Sequence, residues 1–262
     1  MLDYLQEENE YFESAMAPHR RRIEELFEEL KGRIKQEDES VPVKDGHWLF
    51  WTRFSPGEEY REHLRRPAAG GSEELILSEP ELSRGTEYFR LGGMDVSDNG
   101  RYIAFSTDTD GSERYTLRFR RLLGEGEYEE LADLIPDTID DPLWLPDNRT
   151  VLYLELNEQW RPFRLRAHRL GSDPGEDTIL YEEEDSSFFV DVDMTQSRAF
   201  VVISTGDHIT SEIRFIPTDL LVSLISKRRE IQLTLISERV SEREMEIDHH
   251  GNHLYIRTND LH

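Results

Sequence analysis

One pattern returns five times along this chain, and it restricts the architectures open to it more than any other feature. A short strand, a tight polar turn and an apolar strand are followed by a second turn and an alternating strand. The clearest copy is "VSDNGRYIAFSTDTDGSERYTLRFRRL", Val96 to Leu122. The others are "VPVKDGHWLFWTRFSPGEEYREHLRRP", "LWLPDNRTVLYLELNEQWRPFRLRAHRL", "VDVDMTQSRAFVVISTGDHITSEIRFI" and, cut short, "MEIDHHGNHLYIRTND". The first-turn positions Lys44, Asp98, Asp147, Thr195 and His249 recur about every 50 residues, the period of four-stranded propeller blades. A fourth, outermost strand fits "EELILSE", "YEELADL", "DTILYEE" and "IQLTLIS" between the copies. The pattern predicts an all-β partial β-propeller of antiparallel blades at 41–80, 92–135, 141–184 and 189–237, with an incomplete blade at 245–262. A polar-rimmed β-solenoid stays open as the competing architecture, because repeats alone do not fix closure.

Residues 1–38 differ from the propeller portion, 39–262. Ile23, Leu26, Phe27, Leu30 and Ile34 recur at three- and four-residue spacing, while Glu24, Glu25, Glu28 and Glu29 fall on the opposite face. This is the pattern of an amphipathic helix. An earlier helical piece carries Leu2, Leu5, Phe12 and Met16, and Pro18 separates the two because proline cannot continue the backbone hydrogen bonding.

Charge narrows the function classes. The chain of 262 residues has 56 acidic against 31 basic residues, a formal charge of -25, and its only lysines are Lys31, Lys35, Lys44 and Lys227. A nucleic-acid partner is disfavoured, since phosphate binding needs a net basic face. Abundant carboxylates with few lysines fit adaptation to high ionic strength, and equally fit ordinary acidic solubility. No segment nears the roughly 20 apolar residues that span a bilayer, "LLVSLIS" included, so no membrane association is expected. The absence of cysteine excludes disulfides, thiolate metal sites and a thiol nucleophile, and fits a reducing cytoplasm.

Three stretches invite a chemical reading. Asp108, Asp110 and Glu113 in "DTDGSE" could offer carboxylate oxygens to calcium. The twelve-residue calcium loop does not fit, because its glycine would fall at Glu113 and its closing glutamate at Phe119. Asp-Gly between two alternating strands is itself a strong hairpin signal, so a turn competes with an ion site here. His249, His250 and His253 in "DHHGNH" could bind a transition metal, but adjacent histidines on a strand point to opposite faces, and a polar first turn explains them as well. No G-x-S-x-G nucleophile elbow occurs, and "LGSDPG" lacks the strand-to-helix context one needs. Paired carboxylates for glycoside hydrolysis stay open in so acidic a chain, with nothing selecting any two. No catalytic residue, cofactor site or metal site is therefore assigned.

The segments "YLQEENEYFESAMAPHRRRIEELFEELKGRIKQEDESVPV", "GGMDVSDNGRYIAFSTDTDGSERYTLRFRRL" and "RPFRLRAHRLG…ILYEEEDSSFFV" together resemble the N-terminal half of the prolyl oligopeptidase family, most of all its oligopeptidase B (protease II) group. The order and spacing of helix and blades carry the resemblance over essentially the whole chain. It implies about four and a half blades of a seven-bladed propeller that caps an α/β-hydrolase domain with a Ser-Asp-His triad. It also implies cleavage of short peptides after Arg or Lys in the full-length parent, with the propeller excluding folded proteins. Because a half-made blade leaves an apolar face uncovered, the chain is expected to be a non-catalytic piece of such an enzyme. Its implied partner is its own hydrolase domain, and alone it is expected to self-associate. A free-standing propeller that binds a protein partner is the alternative.

Overall fold

A computed structural model describes residues 1–260; the last two positions of the fifth repeat lie outside the described residues. The chain opens with helices α1 (Leu2–Met16) and α2 (Arg20–Gly32), joined through a 3-10 turn at Ala17–His19 that contains Pro18. Apart from half-buried Met16, every residue of both helices is exposed, apolar stripe included.

The first sheet holds β1 (Asp38–Glu39), β2 (Val43–Asp45), β3 (Trp48–Phe54), β4 (Glu62–Pro67) and β5 (Glu74–Ser78). Both β1 and β2 pair with β3, so the innermost strand is interrupted around Pro42, whose ring cannot donate to the ladder. A helical turn, α3 (Glu79–Leu82), capped by Ser78, leads to the second unit: β6 (Arg90–Val96), β7 (Tyr102–Asp108), β8 (Tyr115–Gly124) and β9 (Glu127–Thr138). The third unit comprises β10 (Leu143–Trp144), β11 (Thr150–Leu156), β12 (Pro162–Arg169) and β13 (Thr178–Glu182). The fourth comprises β14 (Phe189–Met194), β15 (Phe200–Gly206), β16 (Ser211–Pro217), helix α4 (Thr218–Ser226) and β17 (Thr234–Ser237). A hairpin, β18 (Met245–His250) and β19 (His253–Thr258), follows. Each unit is an antiparallel meander, and long β9 also pairs with β11, joining units two and three in one curled eight-stranded sheet.

The core lies between the units. One cluster joins Ile76 and Leu77 of β5 to Ile103 and Phe105 of β7, a second joins Phe119 and Ile135 to Trp144 and Tyr153, and a third joins Leu154 and Leu165 to Val190 and Ile203. Stacking on both faces explains why β7 and β11 are buried nearly throughout instead of alternating. By contrast β3 buries only Trp51, and β19 buries nothing.

Arginines tie the seams. Arg65, stacked 3.9 Å over Trp48, donates to Glu74 at 2.7 Å and to the Gly100 carbonyl of the next unit. Arg120 is buried, lies 3.5 Å over Tyr128, pairs with Glu130 of its own unit and reaches the Ile76 carbonyl of the first unit at 3.5 Å. A planar guanidinium can stack and fork at once where a lysine cannot, which gives a structural reason for arginine dominating the positive charge.

Two details differ from the sequence pattern. The repeat pattern puts Lys44 and His249 at turn positions, but both lie within strands, opposite Leu49 and Leu254. Their hairpins close with only two residues, Gly46-His47 and Gly251-Asn252, so they do not superpose on the longer turns of units two to four. The run "LLVSLIS", 220–226, lies in α4, packing Leu221 and Ile225 one turn apart into the third core cluster.

Candidate functional site

Units two to four build their first turns identically. With i at Ser97, Leu145 and Thr195, the N–H of i donates to the carbonyl of i+5, and the N–H of i+3 donates to the carbonyl of i. Position i+3 needs a left-handed backbone and carries Gly100, Asn148 and Arg198, at φ +67°, +56° and +58°. The turns also tie to the next unit along the chain: the Asn99 N–H donates to Asn148 Oδ1 at 2.7 Å, and the Gln196 N–H donates to Asp248 Oδ1 of β18 at 2.9 Å.

The innermost strands β6, β14 and β18 and the segment leading into β10 line an open central channel. A space of about 400 Å³ is bounded by Asp95, Asp141, Asp191 and Asp193, and continues into a larger one, about 950 Å³, bounded by Glu244, Glu246 and Asp248. Arg198 is the one cation lining the first space among the described residues. An innermost strand is a sheet edge with unpaired N–H groups, and aspartates cap them here. Asp95, Asp191, Asp193 and Asp248 each accept the N–H of the following residue, at 2.8, 2.8, 2.6 and 2.7 Å. Asp95 also accepts the Trp144 N–H at 2.7 Å, fastening unit three to unit two.

Burial first, and neighbouring carboxylates second, raise the proton affinity of this wall. Burial pushes Asp95 up to about 6, against the pull of its two backbone donors. Burial raises Asp141 too, with Asp140, Asp191 and Asp193 adding repulsion, and Asp191 rises through burial and the charge of Asp193. The channel wall therefore gains from any cation that enters it.

The stretches singled out in the sequence lie elsewhere. Asp108 is buried and accepts N–H bonds from Asp110, Gly111 and Glu113 at 3.0, 3.0 and 2.9 Å, so "DTDGSE" is the β7–β8 turn with its central carboxylate already satisfied. Asn157 and Asp207 organise the corresponding turns of units three and four in the same way. His249 meets Ser197 Oγ at 2.8 Å and stacks edge-on against Phe200, and His250 faces His253 across the last hairpin. Among the described residues no three His, Asp or Glu side chains converge as a metal site.

The sequence matches, over residues 1–261, the family described as "Prolyl oligopeptidase, N-terminal beta-propeller domain". The chain belongs to the prolyl oligopeptidase family. Within that family it is 32% identical to a dipeptidyl aminopeptidase BI from Pseudoxanthomonas mexicana, over 99% of this chain and 36% of the relative. It is 28% identical to protease 2 of Moraxella lacunata, over 99% of this chain and 37% of the relative. The chain thus spans little more than a third of these curated relatives. Among solved structures, oligopeptidase B from Leishmania major shares the fold at a TM-score of 0.87 and 22% identity, over 99% of this chain and 36% of that one. Oligopeptidase B from Trypanosoma brucei, in a closed form with covalently bound antipain, gives 0.86 at 24% identity, again over 99% and 36%. The inner-strand carboxylates escaped the sequence reading: "GGMDV", "VDVDM" and "MEIDH" look like ordinary strand alternation until the ring places their polar faces on one channel.

Proposed function

We propose that this chain is the propeller portion of a serine oligopeptidase of the oligopeptidase B type, and that its channel draws short peptides bearing Arg or Lys toward a hydrolase domain while excluding folded proteins. The observation that carries this reading is the carboxylate lining of the innermost strands, a field that concentrates cationic peptides and repels anionic ones. A cytoplasmic location, which the cysteine-free composition fits, belongs to the same reading. With no nucleophile elbow in its sequence, the chain alone supplies binding and selection, not bond cleavage.

The test is fluorescence anisotropy with a labelled Ala-Arg-Arg-Ala peptide and its citrulline counterpart, which keeps shape but loses charge. The arginine peptide should bind more tightly, weaken with salt, and lose roughly tenfold in affinity when Asp191→Asn and Asp193→Asn are combined, as expected for two partly exposed ion pairs. Equal binding of both peptides would sink the reading. The chain alone should not hydrolyse the peptide; inhibitor-sensitive turnover by pure material would contradict the assignment.

Self-association follows from uncovered apolar surface. Helix α2 exposes Phe27 and Leu30 at 58% each, Ile34 just beyond its end is 65% exposed, and β19 exposes Tyr255 and Ile256 beside an unpaired strand edge. Apolar surface and free edges of this kind seek cover. Light scattering after size exclusion should find dimers or larger species at tens of micromolar; a clean monomer that binds no hydrophobic dye would refute it.

A further inference from the structure

Arg198 breaks two local trends at once. It is the one cation lining the first space of the channel among the described residues, and it holds a left-handed turn position where units two and three use glycine and asparagine, the residues that tolerate positive φ best. An unbranched, fully charged side chain gains nothing from that backbone; what it gains is reach. Its guanidinium passes from the turn of unit four to the turn of unit two, where Nη2 meets Asp98 Oδ1 at 2.6 Å, without using unit three. By contrast, Asn99 bonds to Asn148 of the neighbouring unit and Gln196 to Asp248 of the neighbouring strand β18. Its charge also pulls on the Asp95 carboxyl inside the channel. The pair therefore spans the turn end of the channel as a bar between non-adjacent units.

We propose that the Arg198–Asp98 pair is a releasable latch across the turn end of the channel, opened when the basic side chain of a peptide takes the place of Arg198 at these carboxylates. The release rests on the channel reading above; the latch itself rests on the ion pair alone. Both partners are substantially solvated, with side-chain exposures of 41% and 36%, so the bond is of the weak, screened kind that a competing cation can displace. A buried pair in this place would be a permanent strut.

Because the chain has no cysteine, spin labels can be placed by Arg101→Cys and Ala199→Cys, exposed positions beside the two turns. Dipolar electron paramagnetic resonance then reads the distance across the channel end. Arg198→Asn removes the guanidinium while supplying a residue this turn already accepts at Asn148, so folding is preserved; Asp98→Asn removes the other partner. Each variant should shift the distribution to longer, broader distances, and combining them should add nothing further. The Ala-Arg-Arg-Ala peptide should reproduce the shift in the parent, and the citrulline peptide should not. A distribution unchanged by either substitution overturns the latch, whatever the peptide does. Arginine peptide that binds by anisotropy without moving the labels overturns the release while leaving the channel reading intact. Peptide that fails to bind overturns both the release and the channel reading, and the two substitutions still decide the latch.

Discussion

Gly93→Ala is expected to lower the unfolding free energy by about 3 kcal/mol, with a further loss of about 1 kcal/mol if the hydrogen bond from the Gly93 N–H to the Asp140 carbonyl breaks. Gly92 and Gly93 sit in a bulge of β6, where the register with β7 shifts between Leu91 and Met94. A methyl at Gly93 would lie inside contact distance of the Asp140 carbonyl, 2.8 Å from Asp141 Oδ1 and 3.0 Å from Asp141 Cα. A methyl at Gly92 would lie 2.5 Å from Asp140 Cβ and 2.9 Å from its Cα. Three of these neighbours, Asp140 Cα and O and Asp141 Cα, are backbone of the linker into unit three, which cannot swing aside as a side chain tip could. Such a loss corresponds to a fall in melting temperature of about 10 °C for a chain of this size. Gly32→Ala, with open space around the added methyl at the end of α2, is the matched control and should be near neutral. A Gly93→Ala protein melting within a degree or two of the parent would show that the seam between units two and three tolerates separation.

His168 should give stability a distinctive alkaline decline. Its ring is fully buried, with Nδ1 2.9 Å from Asp177 Oδ1 and Nε2 3.0 Å from Asp133 Oδ1. Tyr153 donates to the other oxygen of Asp177, and the Gly171 N–H donates to Asp133. A neutral imidazole has one N–H and would turn a lone pair on one of these carboxylates, so the geometry calls for imidazolium, donating to both. Burial opposes that charge, and hydrogen bonding and attraction from Asp177 and Asp133 outweigh it, holding the pKa above the ordinary 6.5. With the folded value raised, the contribution is complete below the unfolded value and is lost as pH rises through the folded one. Melting temperature should therefore fall on the alkaline side for the parent. His168→Gln should cost about 3–5 kcal/mol near neutrality by leaving two buried carboxylates without their cation, and should flatten the decline. Parallel curves for the two proteins would mean that His168 does not titrate in this range.

The sequence disclosed the repeat because each unit must solve the same local problem. A turn with a left-handed fourth position needs Gly, Asn or a residue held there for another reason, and "SDNG", "LPDN" and "TQSR" mark it in units two to four. The first and last hairpins lack that signature because their loops hold only two residues. Helix α4 is not legible in the sequence because an apolar run of this length has no decisive period, and only packing against β16 and the third core cluster distinguishes it from a strand. The channel was hidden for a different reason. Asp95, Asp141, Asp191 and Asp248 are far apart in the chain, and their charges meet only after the units are arranged around a common axis.

The length of β9 has a consequence for how this ring can move. By pairing with β8 along its course and with β11 at Thr138, it leaves no free joint between the second and third units, and the Trp144–Asp95 contacts stitch the same boundary. The four units are thus three mechanical bodies, the middle one of double width, and breathing of the arc concentrates at the two outer joints. In hydrogen exchange, β6 through β13 should open as one cooperative block, while β1 to β5 and β14 to β17 follow their own clocks.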